Sequence, residues 1–416
     1  MASRTRPRVQ TGLEVLARSR PKWLKGRRIG LLMHPASVTS DFVSARQIAS
    51  RLYGRKLTAL FGPQHGFGGE KQDNMVESPH GYDTELMIPV FSLYSETRKP
   101  TATMLEHLDV LLVDLQDVGC RVYTFEWTTA LALEACAAAG KEVVILDRPN
   151  PLGGEAVEGN LVRENYRSFV GLYPVPMRHG LTLGEMAALV NARLGNAPKS
   201  ARPQPRRDGP GILCPGACRL TVIPMRGWKR KMLFPDTGLP WVLPSPNMPA
   251  FETAMVYPGQ VLLEGTNLSE GRGTTRPFEI FGAPYLDTRR FKAAFDSRKL
   301  PGMVLREQPF QPTFQKWSGK LCFGFQIQVT DRKAFRPYLT TLSILQDLLA
   351  EHRLDFIWKQ PPYEYVTDKL PVDVLTGDPA VRKVLESGSS LARLERSWKK
   401  EITAFLRETR PFRFYR

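Results

Sequence analysis

At 416 residues the chain exceeds what one hydrophobic core organises, and two domains are expected. A hydrophobic share of 42% excludes broad disorder, and no apolar run reaches the roughly 20 residues that span a bilayer. The formal charge of +17 favours anionic partners, but much of the excess lies in "RTRPRV" and "RSRPKWLKGRR" at the front and "PFRFYR" at the end. Those tracts read as solvated faces and a frayed terminus, and no helix-turn-helix, zinc-finger or RNP pattern supports nucleic-acid binding.

Five scattered cysteines, Cys120, Cys136, Cys214, Cys218 and Cys322, fit reduced thiols in a reducing compartment. Cys214 and Cys218 form C-x3-C without a second pair or a nearby histidine, so no zinc site is expected. The opening "MASRTRPRVQTGLEVL" has no apolar h-region or small-residue cleavage site, and a cytoplasmic protein is expected.

In chain order, "RRIGLLMHP" predicts a strand from Arg28 to Met33. "DFVSARQIASRLYG" predicts an amphipathic helix with Phe42, Val43, Ile48 and Leu52 on one face and Gly54 as its stop. Strands follow at "KLTALFGP" and "IPVFSLYS", then a short helix at "TATMLEHL" capped by Thr101. "VLLVDLQD" reads as a doubly buried strand, "TFEWTTALALEACAAAG" as a helix, and "EVVILDRPN" as another buried strand. "TLGEMAALVNARLG" reads as a helix whose Thr182 and Glu185 form a capping box, and "CRLTVIPM" as a last strand. Such alternation implies a mostly parallel sheet with helices on both faces, a Rossmann-like α/β domain over residues 11–230. The Pro- and Trp-rich stretch from Arg226 to Pro249 marks the junction. Residues 231–416 read as a smaller α+β domain, with helices at "TRRFKAAFDSR", "YLTTLSILQDLLAEH" and "SLARLERSWKKEITAFLRET" and a strand at "CFGFQIQVT".

Ligands of open parallel sheets bind beyond the carboxyl ends of the strands. Four predicted strand ends carry polar groups: His34; Gln64 and His65; Asp114, Gln116, Asp117, Arg121 and Tyr123; and Asp147, Arg148 and Asn150. Behind the second strand, "GPQHGFGGEKQDNMVES" adds glycines and the carboxylates Glu70, Asp73 and Glu77. The expectation is that glycine lets the backbone approach a ligand which His65 and the carboxylates face. The string is neither the dinucleotide fingerprint nor a P-loop, so no nucleotide cofactor is expected. Arg178 and His179 precede the capping box and stay as candidates. In the second half, "EGTNLSEGRGTTRPFE" gathers Glu264, Asn267, Ser269, Glu270, Arg272 and Thr274.

Taken together, "LFGPQHGFGGEKQDN", "LLVDLQDVGCRVYTF", "ILDRPNPLGG", "VPMRHGLTLGE", "PSPNMP", "LLEGTNLSEGRGTTRPFE" and "GAPYLD" resemble the NamZ-type exo-β-N-acetylmuramidases, in the same order from about Thr11 to near the C-terminus. The resemblance implies a Rossmann-like domain followed by a smaller α+β domain, with an active site in the cleft between them. It also implies removal of terminal N-acetylmuramic acid from the non-reducing end of peptidoglycan fragments. Members of the family often read Pro-Glu-His-Gly where this chain has Pro63-Gln64-His65-Gly66, and that glutamate is a natural catalytic carboxylate.

Glycoside hydrolysis ordinarily uses two carboxyl groups. The pair expected here is Glu70 with Asp117, assisted by His65, with Asp73 and Glu77 as alternatives around Gln64. Arg121, Arg178 or Arg272 would hold the lactyl carboxylate, and Tyr123, Trp228 or Trp241 would stack on sugar faces. Asp114, His179, Asn267 and Glu270 complete the expected substrate-binding set. Three other readings stay open: a non-catalytic sugar-binding protein, a hydrolase of another acidic sugar, and a metal-dependent hydrolase using His34, His65, Asp114 and Asp117. No metal or other cofactor is expected on the preferred reading.

Overall fold

The computed structural model describes residues 9–73, 75–198 and 201–416; the basic residues before Val9 lie outside it. Nine strands form one sheet: β1 Ile29–Met33, β2 Leu57–Gly62, β3 Gly81–Asp83, β4 Ile88–Ser92, β5 Val110–Asp114, β6 Glu142–Leu146, β7 Gln204–Pro205, β8 Ile212–Cys214 and β9 Arg219–Ile223. Their order is β3-β4-β2-β1-β5-β6-β9-β8-β7. The six strands from β4 to β9 are mutually parallel, and β3, β8 and β7 add antiparallel edges. β1, β5 and β6 are buried along their whole length, as continuous apolar runs covered on both faces must be.

The strand order reverses between β1 and β5, the place where a doubly wound fold ordinarily opens a ligand crevice. Here the interdomain segment closes it. Gln116 N donates to His34 Nε2 at 2.8 Å, which puts the ring proton on Nδ1, 3.1 Å from Pro244 O. Burial and the Arg148 charge lower the His34 pKa to about 3, so this neutral latch holds at ordinary pH.

The helix after β1 starts at Ala45, not at Phe42, because Ser44 takes the N-cap with a complete capping box. Phe42 consequently stands outside the helix with a left-handed backbone, 51% exposed. The caps expected at Thr101 and Thr182 are present. Glu185 closes its capping box and also pairs with Arg230 at 2.7 Å.

In the second domain, β10 Ile280–Ala283, β11 Met303–Glu307 and β12 Phe323–Val329 form an antiparallel sheet in the order β10-β12-β11, packed with helices such as Thr288–Asp296 and Pro337–Glu351. One apolar cluster runs from Leu32 and Phe61 of the first sheet through Phe251 and Tyr257 to Phe281, Leu345 and Trp398, so the two domains share a core. The C-terminus is docked rather than frayed: Tyr415 donates its hydroxyl to Asp147 at 2.5 Å, and Phe414 N donates to Glu185 at 2.9 Å. Trp228 packs edge-on against Tyr415, and Trp241 against Phe234. Both tryptophans therefore serve packing rather than sugar stacking.

Candidate active site

Where β2 and β5 end against the second domain, a cavity of about 40 Å³ is lined from both sides. The first domain contributes Gln64 and His65 after β2 and Tyr123, Thr124 and Phe125 after β5; the second contributes Tyr257, Glu264, Arg272, Phe278, Tyr363 and Glu364, among others. Ser245, Asn247 and Met248 of the junction segment form part of the wall, so the Pro-rich stretch positions the site.

Glu364 is the group that sequence reasoning missed. It lies in a turn of the second domain, 4% exposed, with φ of 43°, a left-handed conformation that costs a non-glycine residue energy and clusters at functional sites. Tyr94 donates its hydroxyl to Oε2 at 3.0 Å, and Gln64 Nε2 donates to Oε1 at 3.4 Å. Thr124 in turn donates to Gln64 Oε1 at 2.6 Å, aiming the amide nitrogen at the carboxyl. Burial is the main cause that pushes the Glu364 pKa up to about 7, with the Glu264 charge adding to it and the Tyr94 hydrogen bond opposing it. The only hint in the sequence is a carboxylate between aromatics in "PPYEY", which surface loops also contain.

The second carboxyl on the cavity is Glu264. Arg272 Nη2 donates to its Oε1 at 2.7 Å and the Tyr363 hydroxyl to its Oε2 at 2.6 Å. Arg272 Nε also faces Glu270 at 3.3 Å, and Lys316 Nζ holds Glu270 from the other side at 2.7 Å. The Lys316 and Arg272 charges bring the Glu270 pKa below its ordinary value, although burial acts against them. Arg272 Nη1, fully buried, has no hydrogen-bond partner among the described residues.

His65 lines the cavity, as expected, also with a left-handed backbone. Its Nδ1 lies 2.8 Å from Lys71 O, an acceptor only, so Nδ1 carries the proton. Burial lowers its pKa to about 4, leaving a neutral ring at pH 7. Tyr123 is on the wall too.

The remaining expected residues are elsewhere. Glu70 is exposed and off the cavity. The glycines before it make room for its own carboxylate: a Cβ on Gly66, whose φ is 87°, would sit 2.7 Å from Glu70 Oε1. Glu77 is exposed and off the cavity too, and it accepts from the Tyr365 hydroxyl at 3.2 Å. Asp73 is not on the cavity either. Asp114 is locked to Arg148 Nε at 2.5 Å in a buried pair, and Asn150 binds Leu181 O and Leu152 N. The strand ends do converge on one rim, but these groups stitch it together instead of facing a ligand.

Arg121 is entirely buried. Its guanidinium donates to four carbonyl oxygens, those of Asn160, Val175, Leu375 and Thr376. The last two end the helix Pro371–Thr376, whose negative dipole end suits a cation. Arg178 Nη2 donates to Leu152 O at 2.6 Å, away from the cavity. Asn267 binds Tyr285, Ile357 and Asp355 within the second domain. Among the three arginines expected to meet a carboxylate, Arg272 alone lines the cavity.

Asp117 and His179 meet below the wall with Glu126; one ligand-type atom of each lies within 4.8 Å of the others. Burial raises both carboxyls, Asp117 to about 7, and lowers His179 to about 3. Leu181 N donates to His179 Nδ1 at 3.1 Å, so the neutral ring's proton is on Nε2, 3.3 Å from Glu126. That tautomer offers no lone pair to a cation, and the trio is better suited to holding protons than a metal. The alternative metal set fails as well, since His34 and Asp114 are committed to Gln116, Pro244 and Arg148.

The model of the N-terminal domain of the exo-β-N-acetylmuramidase NamZ matches residues 29–252, and that of its C-terminal domain residues 255–415. The chain belongs to the NamZ exo-β-N-acetylmuramidase family. The peptidoglycan β-N-acetylmuramidase NamZ of Bacillus subtilis (strain 168) is 41% identical over 410 residues, covering 99% of this chain and 92% of that protein. Two crystal structures of DUF1343 family proteins from Bacteroides fragilis share the NamZ-family fold. One has a TM-score of 0.84 at 30% identity over 99% of this chain and 100% of its own; the other has 0.72 at 28% over 98% and 99%. The expected family, its two-part fold and its glycosidase class are thus borne out.

Proposed function

We propose that this chain hydrolyses the bond that joins a terminal, β-linked N-acetylmuramic acid to the rest of a peptidoglycan fragment, at the non-reducing end. One observation carries this reading beyond kinship. The cavity between the two family domains presents two carboxyl groups, Glu264 and Glu364, among Tyr123, Tyr257 and Phe278. Paired carboxyls are what glycoside hydrolysis requires, and aromatic walls suit the apolar faces of a sugar. The lactyl group of muramic acid adds a carboxylate, and the unpartnered Arg272 Nη1 is the group we assign to it.

The cavity's 40 Å³ is below the roughly 300 Å³ of even a small ligand pocket, so entry of a sugar ring shifts the wall. The turn Tyr363–Val366 is the element we expect to move. Its links to the first domain include the Tyr94 and Gln64 bonds to Glu364 and the Tyr365–Glu77 contact. The five cysteines are buried free thiols, a state that a reducing compartment maintains. We place the activity in the cytoplasm, in recycling of wall fragments.

The test is release of chromophore from an aryl β-N-acetylmuramide and from the matching glucosaminide, with and without chelator. Release from the muramide alone, indifferent to chelator, is expected. Binding of the sugar by calorimetry without release from either substrate would instead establish a sugar-binding protein, the alternative that Gln64 favours.

A further inference from the structure

We propose that Glu364, supplied by the second domain, is the proton donor of the reaction, and that Gln64 serves as its neutral support. This rests on the glycosidase reading above. Glu364 is the cavity carboxyl whose hydrogen bonds come only from uncharged side chains, the Tyr94 hydroxyl on Oε2 and the Gln64 amide on Oε1. Glu264, by contrast, is tied to the Arg272 cation. A carboxyl among neutral donors keeps a proton that one paired with a guanidinium gives up. Its raised pKa, near 7, agrees with the geometry.

Gln64 matters here through what it lacks. Its amide nitrogen donates and cannot take the Glu364 proton, and Thr124 occupies its oxygen. The proton therefore has no acceptor on that side other than a substrate oxygen in the cavity. Tyr94 is fixed in turn, since Met75 N donates to its hydroxyl at 3.1 Å. The Glu364 backbone is anchored over Met75 as well, with its N–H 3.2 Å from the sulfur. The left-handed φ is the local cost of carrying a carboxyl from one domain into a pocket of the other.

The Glu364 hydroxyl proton passes to the glycosidic oxygen as the bond from C1 to that oxygen breaks, its electron pair staying on the departing alcohol. A water oxygen bonds to C1 and its surplus proton passes to the Glu264 carboxylate. Exchange with solvent then returns Glu364 to its protonated form and Glu264 to its ionised one. The sum is one glycoside and one water giving two alcohols, one of them the sugar hemiacetal.

The experiment compares wild type and Glu364→Gln on two muramides, one with a poor leaving group (a second sugar) and one with 2,4-dinitrophenolate, which departs without protonation. General acid catalysis contributes typically 10²–10⁴-fold. The variant is expected to lose at least 10²-fold in kcat on the sugar-linked substrate and less than about tenfold on the dinitrophenyl one, with KM little changed. Equal losses on both, or no loss on either, would overturn the assignment while leaving the glycosidase reading intact. Inactivity of wild type on both would overturn that reading and this inference with it. Tyr94→Phe is the companion variant should Glu364→Gln not fold. Removing the hydroxyl that favours the ionised carboxyl is expected to move the alkaline limb of kcat/KM to higher pH. An unmoved limb would count against Glu364 as the titrating acid.

Discussion

Replacing Gln64 by glutamate tests whether positions 64 and 364 face each other. Gln64 Nε2 lies 3.4 Å from Glu364 Oε1, so the substitution sets two carboxyls across that distance. Two full charges 3.4 Å apart in an effective dielectric of about 20 repel by about 5 kcal/mol. That is the ceiling, because the pair will hold one proton to avoid it. The pair's pKa in the folded protein is then raised above the roughly 4.3 of an unfolded glutamate, and the folded state binds more protons than the unfolded one. Stability relative to wild type is fully present below that unfolded pKa and is lost as pH rises through the folded value. Thermal unfolding of both proteins at pH 5, 7 and 9 should show nearly equal Tm at pH 5 and a deficit of roughly 5 °C for Gln64→Glu at pH 9. In parallel, the alkaline limb of activity should move to higher pH, because the shared proton is retained longer. A Tm difference that stays constant from pH 5 to 9 would refute the reasoning.

Substitutions at three further positions separate structural from chemical roles. Arg121→Ala strips the donors from four buried carbonyls. Charged hydrogen bonds contribute about 1.5–3 kcal/mol each, though not additively, so a loss of about 4 kcal/mol or more in denaturant titration is expected; Arg121→Lys should recover little, and KM of the folded fraction should be unchanged. Glu70→Gln and Glu77→Gln are expected to keep kcat within about threefold of wild type, because both carboxylates are exposed and off the cavity; a 10²-fold loss in either would return the catalytic role to the loop after β2.

Much of the fold was legible in the sequence because it rests on local rules. Short apolar runs such as "VLLVD" and "EVVIL" read as doubly buried strands and are so, and Thr182 with Glu185 announces a helix start in four residues. His65, Tyr123 and Arg272, which line the cavity, were legible as candidates because each sits in a segment that leaves a strand or breaks on glycine. The charge at the C-terminus misled: "PFRFYR" reads as solvated, yet Tyr415 meets a buried aspartate more than 250 positions away, and nothing local encodes that partner.

The composition, the alternation of elements and the order of the motifs were determined by the sequence alone, and they were enough to indicate the family and to rule out a dinucleotide fingerprint. Which carboxyl is fit for proton transfer was decided only by tertiary structure. Protonation follows burial and neighbours, and the neighbours of Glu364 come from 270 and 300 residues away, at Tyr94 and Gln64. By the same logic Arg121, one of three candidate carboxylate binders in sequence, is spent on carbonyls, while Glu364, unremarked among aromatics, stands in the cavity.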